Sequence, residues 1–389
     1  MIDIPPPPDK KLINLNGALK LTEKGIESPA KKLDRLLASQ QQIRESKGKP
    51  ISFSQPILWQ KENPVFFPKT INVVQGKAGV HKSRLAETIC AALLKTPESN
   101  RDLLDFKRNI LSRYGVCYVD TERNLSDQLP YSLQQIQLKA GFPIEDHPYG
   151  FDYISLLEFA REERFEMLNM YLDYIRQKFP MHLFIVLDVI TDCVFNFNDT
   201  KDSMKLIDMM NQTINRYDVT FLCLIHENPG STDKARGHLG TEILNKASTV
   251  MQIGFEKDSE NHNIDLIKIN YLKCRSSRKH EPFYVEYSDK EKGLIIADPN
   301  TIKESFDSRN QKAALDETIE LIAGFLSEPV NKSVLIEKLC LEMNCKERTI
   351  ESRLKSIITH KLVIPDANGT VRNLCKRQEG KEVIYYLSN

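Results

Sequence analysis

The sequence predicts an α/β protein, a mostly parallel sheet flanked by helices, followed by a small C-terminal domain. Three observations carry that expectation. Between residues 70 and 298 short apolar runs alternate with longer segments of helical spacing. One junction, Val73 to Ala92 (VVQGKAGVHKSRLAETICAA), passes from an apolar run through a Gly-punctuated turn straight into a helical pattern. After Pro299 the composition turns polar, then resumes as three short amphipathic segments and a hairpin. Apolar strands separated by helices mark a parallel sheet buried on both faces.

The bulk numbers set limits. The chain has 389 residues, 41% of them hydrophobic, and a net charge of +1, so any nucleic-acid binding must come from a local basic face. There is no run of 18 apolar residues, so no membrane partner is expected. The N-terminus, MIDIPPPPDKK, lacks the order of a signal peptide. Eight cysteines form no CxxC pair, and Cys90, Cys117, Cys193 and Cys223 sit in apolar segments as reduced thiols. A reducing, cytoplasmic location fits them.

Four segments are expected. Residues 1–50 form a flexible N-terminal stretch, with PPPP at 5–8 and a linker helix from Pro29 to Glu45 whose Leu33, Leu36, Leu37 and Ile43 make an apolar stripe. Residues 51–299 are the α/β core, 300–313 a linker and 314–389 the small domain. Trp59 lies in a Pro-rich approach and reads as loop.

Within the core, Ile71–Val74 reads as a strand and Ser83–Lys95 as the helix after it. Gly76, Lys77, Ala78, Gly79, Val80, His81, Lys82, Ser83 and Arg84 then have the layout of a P-loop, G-x-x-x-x-G-K-[ST], with His81 where a glycine is usual before the lysine. Small residues let backbone N–H groups curl around a phosphate. Lys82 supplies charge, and the Ser83 hydroxyl can hold Mg²⁺. If position 81 needs a positive φ, histidine carries a strain of about 1–2 kcal/mol.

Further strands are expected at Val116–Asp120, Tyr153–Leu157, His182–Asp188, Thr220–His226, Thr249–Phe255 and Ile264–Leu272, with Phe283–Tyr287 alongside. Helices are expected at Ser126–Lys139, Glu158–Phe179 and Met204–Arg216. Ligands of such sheets bind beyond the carboxyl ends of the strands. Three of those ends carry polar residues suited to phosphoryl transfer: Glu122 after VCYVD, Asp188 ending FIVLD, and His226 ending TFLCLIH. A carboxylate near the loop can polarise water, and a strand-end acid can hold Mg²⁺.

The series GKAGVHKS, YVDTE, FIVLD, LIHEN, KARGHLGTE, LKCR resembles the RecA-like ATPase core, and most nearly the RepA/DnaB-type hexameric helicases and ATPases of plasmids and mobile elements, over residues 55–298. The resemblance implies ATP and Mg²⁺ as cofactors. It implies Lys82 and Ser83 on phosphate and metal, Glu122 as catalytic base, Asp188 as the Walker B acid and His226 as sensor. It also implies a loop at Asn228–Glu242 facing single-stranded DNA, with Lys234 and Arg236 on phosphates, and Lys273 and Arg275 as fingers reaching a neighbouring subunit's site in a homo-oligomer, a hexamer. Read by itself, the loop is equally a solvated connection, and LKCRSSRK a basic hairpin rim.

In the small domain, helices are expected at Leu315–Ser327, Asn331–Met343 and Glu347–His360. A two-stranded wing follows, from Leu362–Ile364 and Val383–Leu387, with a turn at Asn368-Gly369 and a basic segment between them. This resembles winged-helix DNA-binding domains. The resemblance implies a duplex-facing third helix with Arg348, Arg353 and Lys355, and Arg372 in the basic segment. From Asn331 onward there are 11 Lys/Arg against 7 Asp/Glu, which suits DNA, though such domains also dock proteins. The functional expectation is an ATP-hydrolysing DNA motor, a replicative or mobile-element helicase. The alternatives are a DNA-bound ATPase that switches assembly without unwinding, or a slow ATP-binding scaffold.

Overall fold

The computed structural model describes residues 28–229, 234–258, 262–302, 315–359, 362–365, 370–380 and 382–388. The tetraproline at 5–8, residues 303–313 of the expected linker, residues 230–233 and the Asn368-Gly369 turn lie outside the described residues. The chain divides into two compact units. The first comprises residues up to Met251 together with Tyr271–His280; the second comprises Gln252–Asn270 and Glu281–Asn389.

The first unit begins with helix α1, Pro29–Lys47. Ser28 caps it, accepting from the Lys31 N–H, and proline opens its first turn, where a missing N–H costs nothing. No residue of α1 is buried, and the stripe of Leu33, Leu36, Leu37 and Ile43 is exposed. Next come β1 (Leu58–Gln60) and β2 (Asn63–Phe66), which form a three-stranded antiparallel sheet with β4 (Phe106–Arg108) in the order β2-β1-β4. Trp59 therefore sits in a strand, paired with Lys107, rather than in a loop. Three- and four-residue strands beside prolines are too short to show a period.

The central sheet is built from β3 (Ile71–Gly76), β5 (Tyr114–Asp120), β6 (Phe151–Ser155), β7 (His182–Asp188) and β8 (Val219–His226). They run parallel in the order β3-β8-β7-β5-β6, and the start of β9 (Thr249–Lys257) lies beside β3. Nearly every residue of β3, β5, β7 and β8 is buried, as strands covered on both faces must be. The intervening helices are α2 (Lys82–Leu94), α3 (Gln128–Ala140), α4 (Arg161–Lys178), α5 (Thr200–Tyr217) and α6 (Gly237–Lys246). Helix α5 shows the logic: Leu206, Ile207, Met210 and Ile214 recur at helical spacing and are buried in the core. Each contributes about 1.5–3 kcal/mol of apolar burial. Strand β6 lies two residues earlier than its sequence pattern suggests, because only Phe151 of its residues is buried.

The second unit holds the outer part of β9 and an antiparallel series formed by β10 (Asn263–Cys274), β11 (Phe283–Ser288) and β12 (Gly293–Ile296). It also holds the C-terminal module: α7 (Leu315–Phe325), β13 (Val330–Asn331), α8 (Lys332–Glu342), α9 (Glu347–Thr359), β14 (Val363–Pro365), β15 (Val371–Glu379) and β16 (Glu382–Ser388). Its strands pair antiparallel in the order β13-β16-β15-β14. Ile322, Leu335, Leu339, Ile350, Leu354, Ile357, Ile364 and Leu374 form its core. The basic segment is strand β15, which buries a single residue, Leu374.

Candidate functional site

The parallel register sets the site. Gly76 pairs with His226 across β3 and β8, and Asp120 pairs with Asp188 across β5 and β7. The carboxyl ends of four strands thus stop in one row, with the 77–81 loop in front of them.

That loop turns through two left-handed residues, Gly79 (φ 79°) and His81 (φ 65°, ψ 27°). His81 takes the conformation that a glycine would adopt freely, and it gives α2 no side-chain cap. Burial, then the neighbouring Arg84, lowers the His81 pKa, which favours a neutral ring. Lys82 is 6% exposed and folds back over the loop. Its Nζ donates to the carbonyls of Gly76 (3.1 Å) and Lys77 (2.7 Å), and it lies 3.1 Å from His226 Nδ1. Burial pushes the Lys82 pKa below the usual lysine range, while Asp188, Glu122 and Glu227 pull it back.

His226 spans the gap between Lys82 and Glu122. Because the ammonium can only donate, Nδ1 is the acceptor and Nε2 carries the proton. Nε2 lies 3.7 Å from Glu122 Oε1, long for a hydrogen bond but close enough to act on the charge. This polar contact with His226, more than the opposing burial, holds the Glu122 carboxyl below its ordinary range, helped by Lys82 and Arg123. Behind the ring, Gln75 Nε2 donates to Glu227 Oε1 at 2.8 Å, a buried pair beneath the loop.

Asp188 sits in a buried polar cluster. Its Oδ2 accepts from Tyr118 Oη (2.7 Å) and from Arg123 Nη2 (2.8 Å). Arg123 also donates from Nε to Asp120 Oδ2 (2.6 Å), from Nη1 to Glu87 Oε1 (3.1 Å) and Ser132 Oγ (2.5 Å), and from Nη2 to the Tyr118 hydroxyl (2.9 Å). Arg84 reaches the other Glu87 oxygen at 2.8 Å. Burial raises the Asp120 pKa despite its Arg123 partner.

The donor chemistry fits a magnesium nucleotide. Gly79 has open space where a Cβ would be, so backbone can close on a phosphate. Ser83, in the first turn of α2, and the Asp188 carboxylate are the hard oxygen donors that Mg²⁺ prefers. Among the described residues no cluster of three or more His, Cys, Asp or Glu has the makings of a metal site in its own right.

No protein-family model and no curated protein sequence matches this chain. Among solved structures, it is similar to the RadB recombinase, at 13% identity and a TM-score of 0.42, over 66% of this chain and 96% of that one. It is also similar to the flagellar accessory protein FlaH from Methanocaldococcus jannaschii, at 13% identity and a TM-score of 0.39, over 60% of this chain and 92% of that one. At that distance, what the site can do rests on its own atoms.

The remaining candidates lie elsewhere. Lys273 Nζ donates to the carbonyls of Leu244 (2.8 Å) and Asn245 (3.0 Å), and Arg275 Nη2 to Asn245 O (2.9 Å). Both cations thus sit on the C-terminal end of α6, where the helix dipole favours positive charge, and neither bonds to the loop of its own chain. Lys234 and Arg236 are exposed, with the Arg236 guanidinium 5.3 Å above the Phe197 ring. Their loop is tied at its base to the end of β8: Arg236 N donates to His226 O, and Asn228 N to Lys234 O. In the module, Arg348 and Lys355 are exposed on α9, while Arg353, also on α9, and Arg372 on β15 are half-buried. No described helix is long and apolar enough to cross a membrane.

Sequence reasoning missed Arg123, Glu87, Asp120, Tyr118 and Gln75, and with Gln75 the partner of Glu227. Only one signal hinted at them: polar side chains inside or just beside segments otherwise destined for burial.

Proposed function

We propose that the protein is a Mg²⁺-dependent ATPase with a RecA-like core that works on DNA as a homo-oligomer, with a C-terminal winged helix as a second DNA contact. One observation carries this reading: Lys82, Glu122, His226 and Asp188 converge at the ends of parallel strands facing a loop built to hold phosphate. Ser83 and Asp188 are the residues that would hold a Mg²⁺ ion, which when bound would neutralise phosphate charge. Lys82 neutralises phosphate oxygens. Glu122, kept ionised, orients a water and accepts its proton. His226 reports the state of the phosphate to the loop pinned at Arg236. Lys273 and Arg275, turned to the end of α6, suit a role in a neighbouring subunit's site, where a cation delivered in trans stabilises the transition state.

The test is ATP hydrolysis with and without single-stranded DNA, alongside the native mass of the assembly. A DNA-stimulated ring supports the reading. A monomer without ATPase activity under either condition removes it.

The switch alternative is favoured by one feature. Lys82 already spends its three donors within the chain, on Gly76, Lys77 and His226, so phosphate entry must break at least one of these bonds. A site closed on itself suits a gated or slow turnover. Unwinding of a forked duplex separates helicase from switch.

A further inference from the structure

We propose that Arg123 is the positioning residue that presents Asp188 to the metal, an inference that rests on the Mg²⁺-nucleotide reading of the site. The guanidinium has five N–H groups, and every one is used: Nε on Asp120, Nη1 on Glu87 and Ser132, Nη2 on Tyr118 and Asp188. Its plane also lies against the Tyr118 ring, 5.1 Å from the centroid. This demands a fixed planar fork, which lysine cannot reproduce.

The geometry at Asp188 is one-sided. Both hydrogen bonds to its carboxylate, from Tyr118 and Arg123, land on Oδ2. Oδ1 carries neither, and is the oxygen left for a metal-bound water. Two anchors on one oxygen lock the carboxylate torsion, as an outer-shell partner does for a metal ligand.

Arg123 is itself held by a rigid turn. The N–H groups of Glu122 and Arg123 both donate to Asp120 Oδ1, at 3.1 and 2.8 Å. Thr121 N donates to Asp188 O, and the Thr121 hydroxyl accepts from Val189 N, both at 2.9 Å. Two consecutive residues therefore leave this turn for different partners, Glu122 for His226 and Arg123 for Asp188. The water-activating carboxylate and the metal-orienting guanidinium share one piece of backbone, so their spacing is set before any ligand arrives.

A purely charge-balancing role makes the opposite prediction. Removing the cation would leave Glu87, Asp120 and Asp188 facing one another, and that negative field would draw a divalent ion in more tightly.

The test uses Mn²⁺ as the probe, followed by electron paramagnetic resonance in the presence of a non-hydrolysable ATP analogue, with the full chain. Arg123→Gln should raise the half-saturating Mn²⁺ concentration by about 10-fold or more, while analogue binding in EDTA stays at the wild-type level. Arg123→Lys should fall between the two. Tyr118→Phe, which keeps the ring and removes one anchor, should shift Mn²⁺ uptake in the same direction by less, and it decides the matter if Arg123→Gln does not fold. Mn²⁺ uptake equal to or tighter than wild type in the folded variants overturns the assignment. A wild-type protein that takes up no Mn²⁺ with the analogue instead overturns the nucleotide reading beneath it.

Discussion

His226 Nδ1 lies 3.1 Å from Lys82 Nζ, so the ring at the end of one strand holds the lysine that begins the neighbouring helix. The same ring faces Glu122 through its other nitrogen. Lys82 and Glu122 are linked through a single imidazole, and the first two predictions follow from that link.

Lys82→Ala removes the charge at the loop and the bonds that fold it over Gly76 and Lys77. Nucleotide affinity should fall by about 1.5–3 kcal/mol, the worth of a hydrogen bond to a charged group, and turnover should vanish. Calorimetric titration with an ATP analogue measures the first and phosphate release the second. Affinity matching wild type would remove Lys82 from the phosphate site.

His226→Asn should change the pH profile. In the native site the His226 contact depresses the Glu122 pKa, so the ionised base persists as pH falls and is lost only below the ordinary carboxylate range. Without the imidazole the acid limb of kcat should move to higher pH. The same sign holds for stability: the contribution of ionised Glu122 is present above its unfolded pKa and disappears as pH falls through the depressed folded value. An unmoved acid limb would detach His226 from Glu122.

Arg275→Ala should leave nucleotide binding intact and abolish turnover, because the guanidinium lies on the α6 terminus rather than at its own loop. Mixing Arg275→Ala with Lys82→Ala protein should restore part of the activity, since a mixed assembly contains junctions with one intact loop and one intact finger. Two inactive parents giving an inactive mixture would count against action in trans.

His81→Gly should be at least as stable as wild type and His81→Ala less stable than His81→Gly by about 1–2 kcal/mol, the cost of a left-handed backbone for a residue with a Cβ. Urea denaturation resolves a difference of that size. If His81→Gly also turns over faster, the ring at position 81 is a brake on the site.

Arg348 and Lys355, exposed on α9, should each weaken duplex DNA binding when changed to alanine and flatten its salt dependence. Leu354, fully buried on the same helix, should instead destabilise the module by about 2–5 kcal/mol as alanine. Binding by salt titration and melting by calorimetry separate the two outcomes.

By itself the sequence determined the alternation of buried strands and helices, the loop from Gly76 to Ser83, and the polar residues that end the strands, Glu122, Asp188 and His226. These are local properties: an apolar run, a glycine spacing and a strand-terminal acid are each readable within about ten residues. The apolar stripe of α1 was legible for the same reason; its exposure and the left-handed backbone of His81 were decided in the structure. Only the tertiary structure decided the register that sets Gly76 beside His226 and Asp120 beside Asp188, because strand pairing joins residues up to 150 positions apart. It also decided that Arg123 turns inward to five acceptors while Glu122, one residue before it, turns to His226. Nothing in a one-dimensional pattern distinguishes adjacent charged residues; the direction each takes is set by which carboxylates and rings the folded sheet places within hydrogen-bond reach.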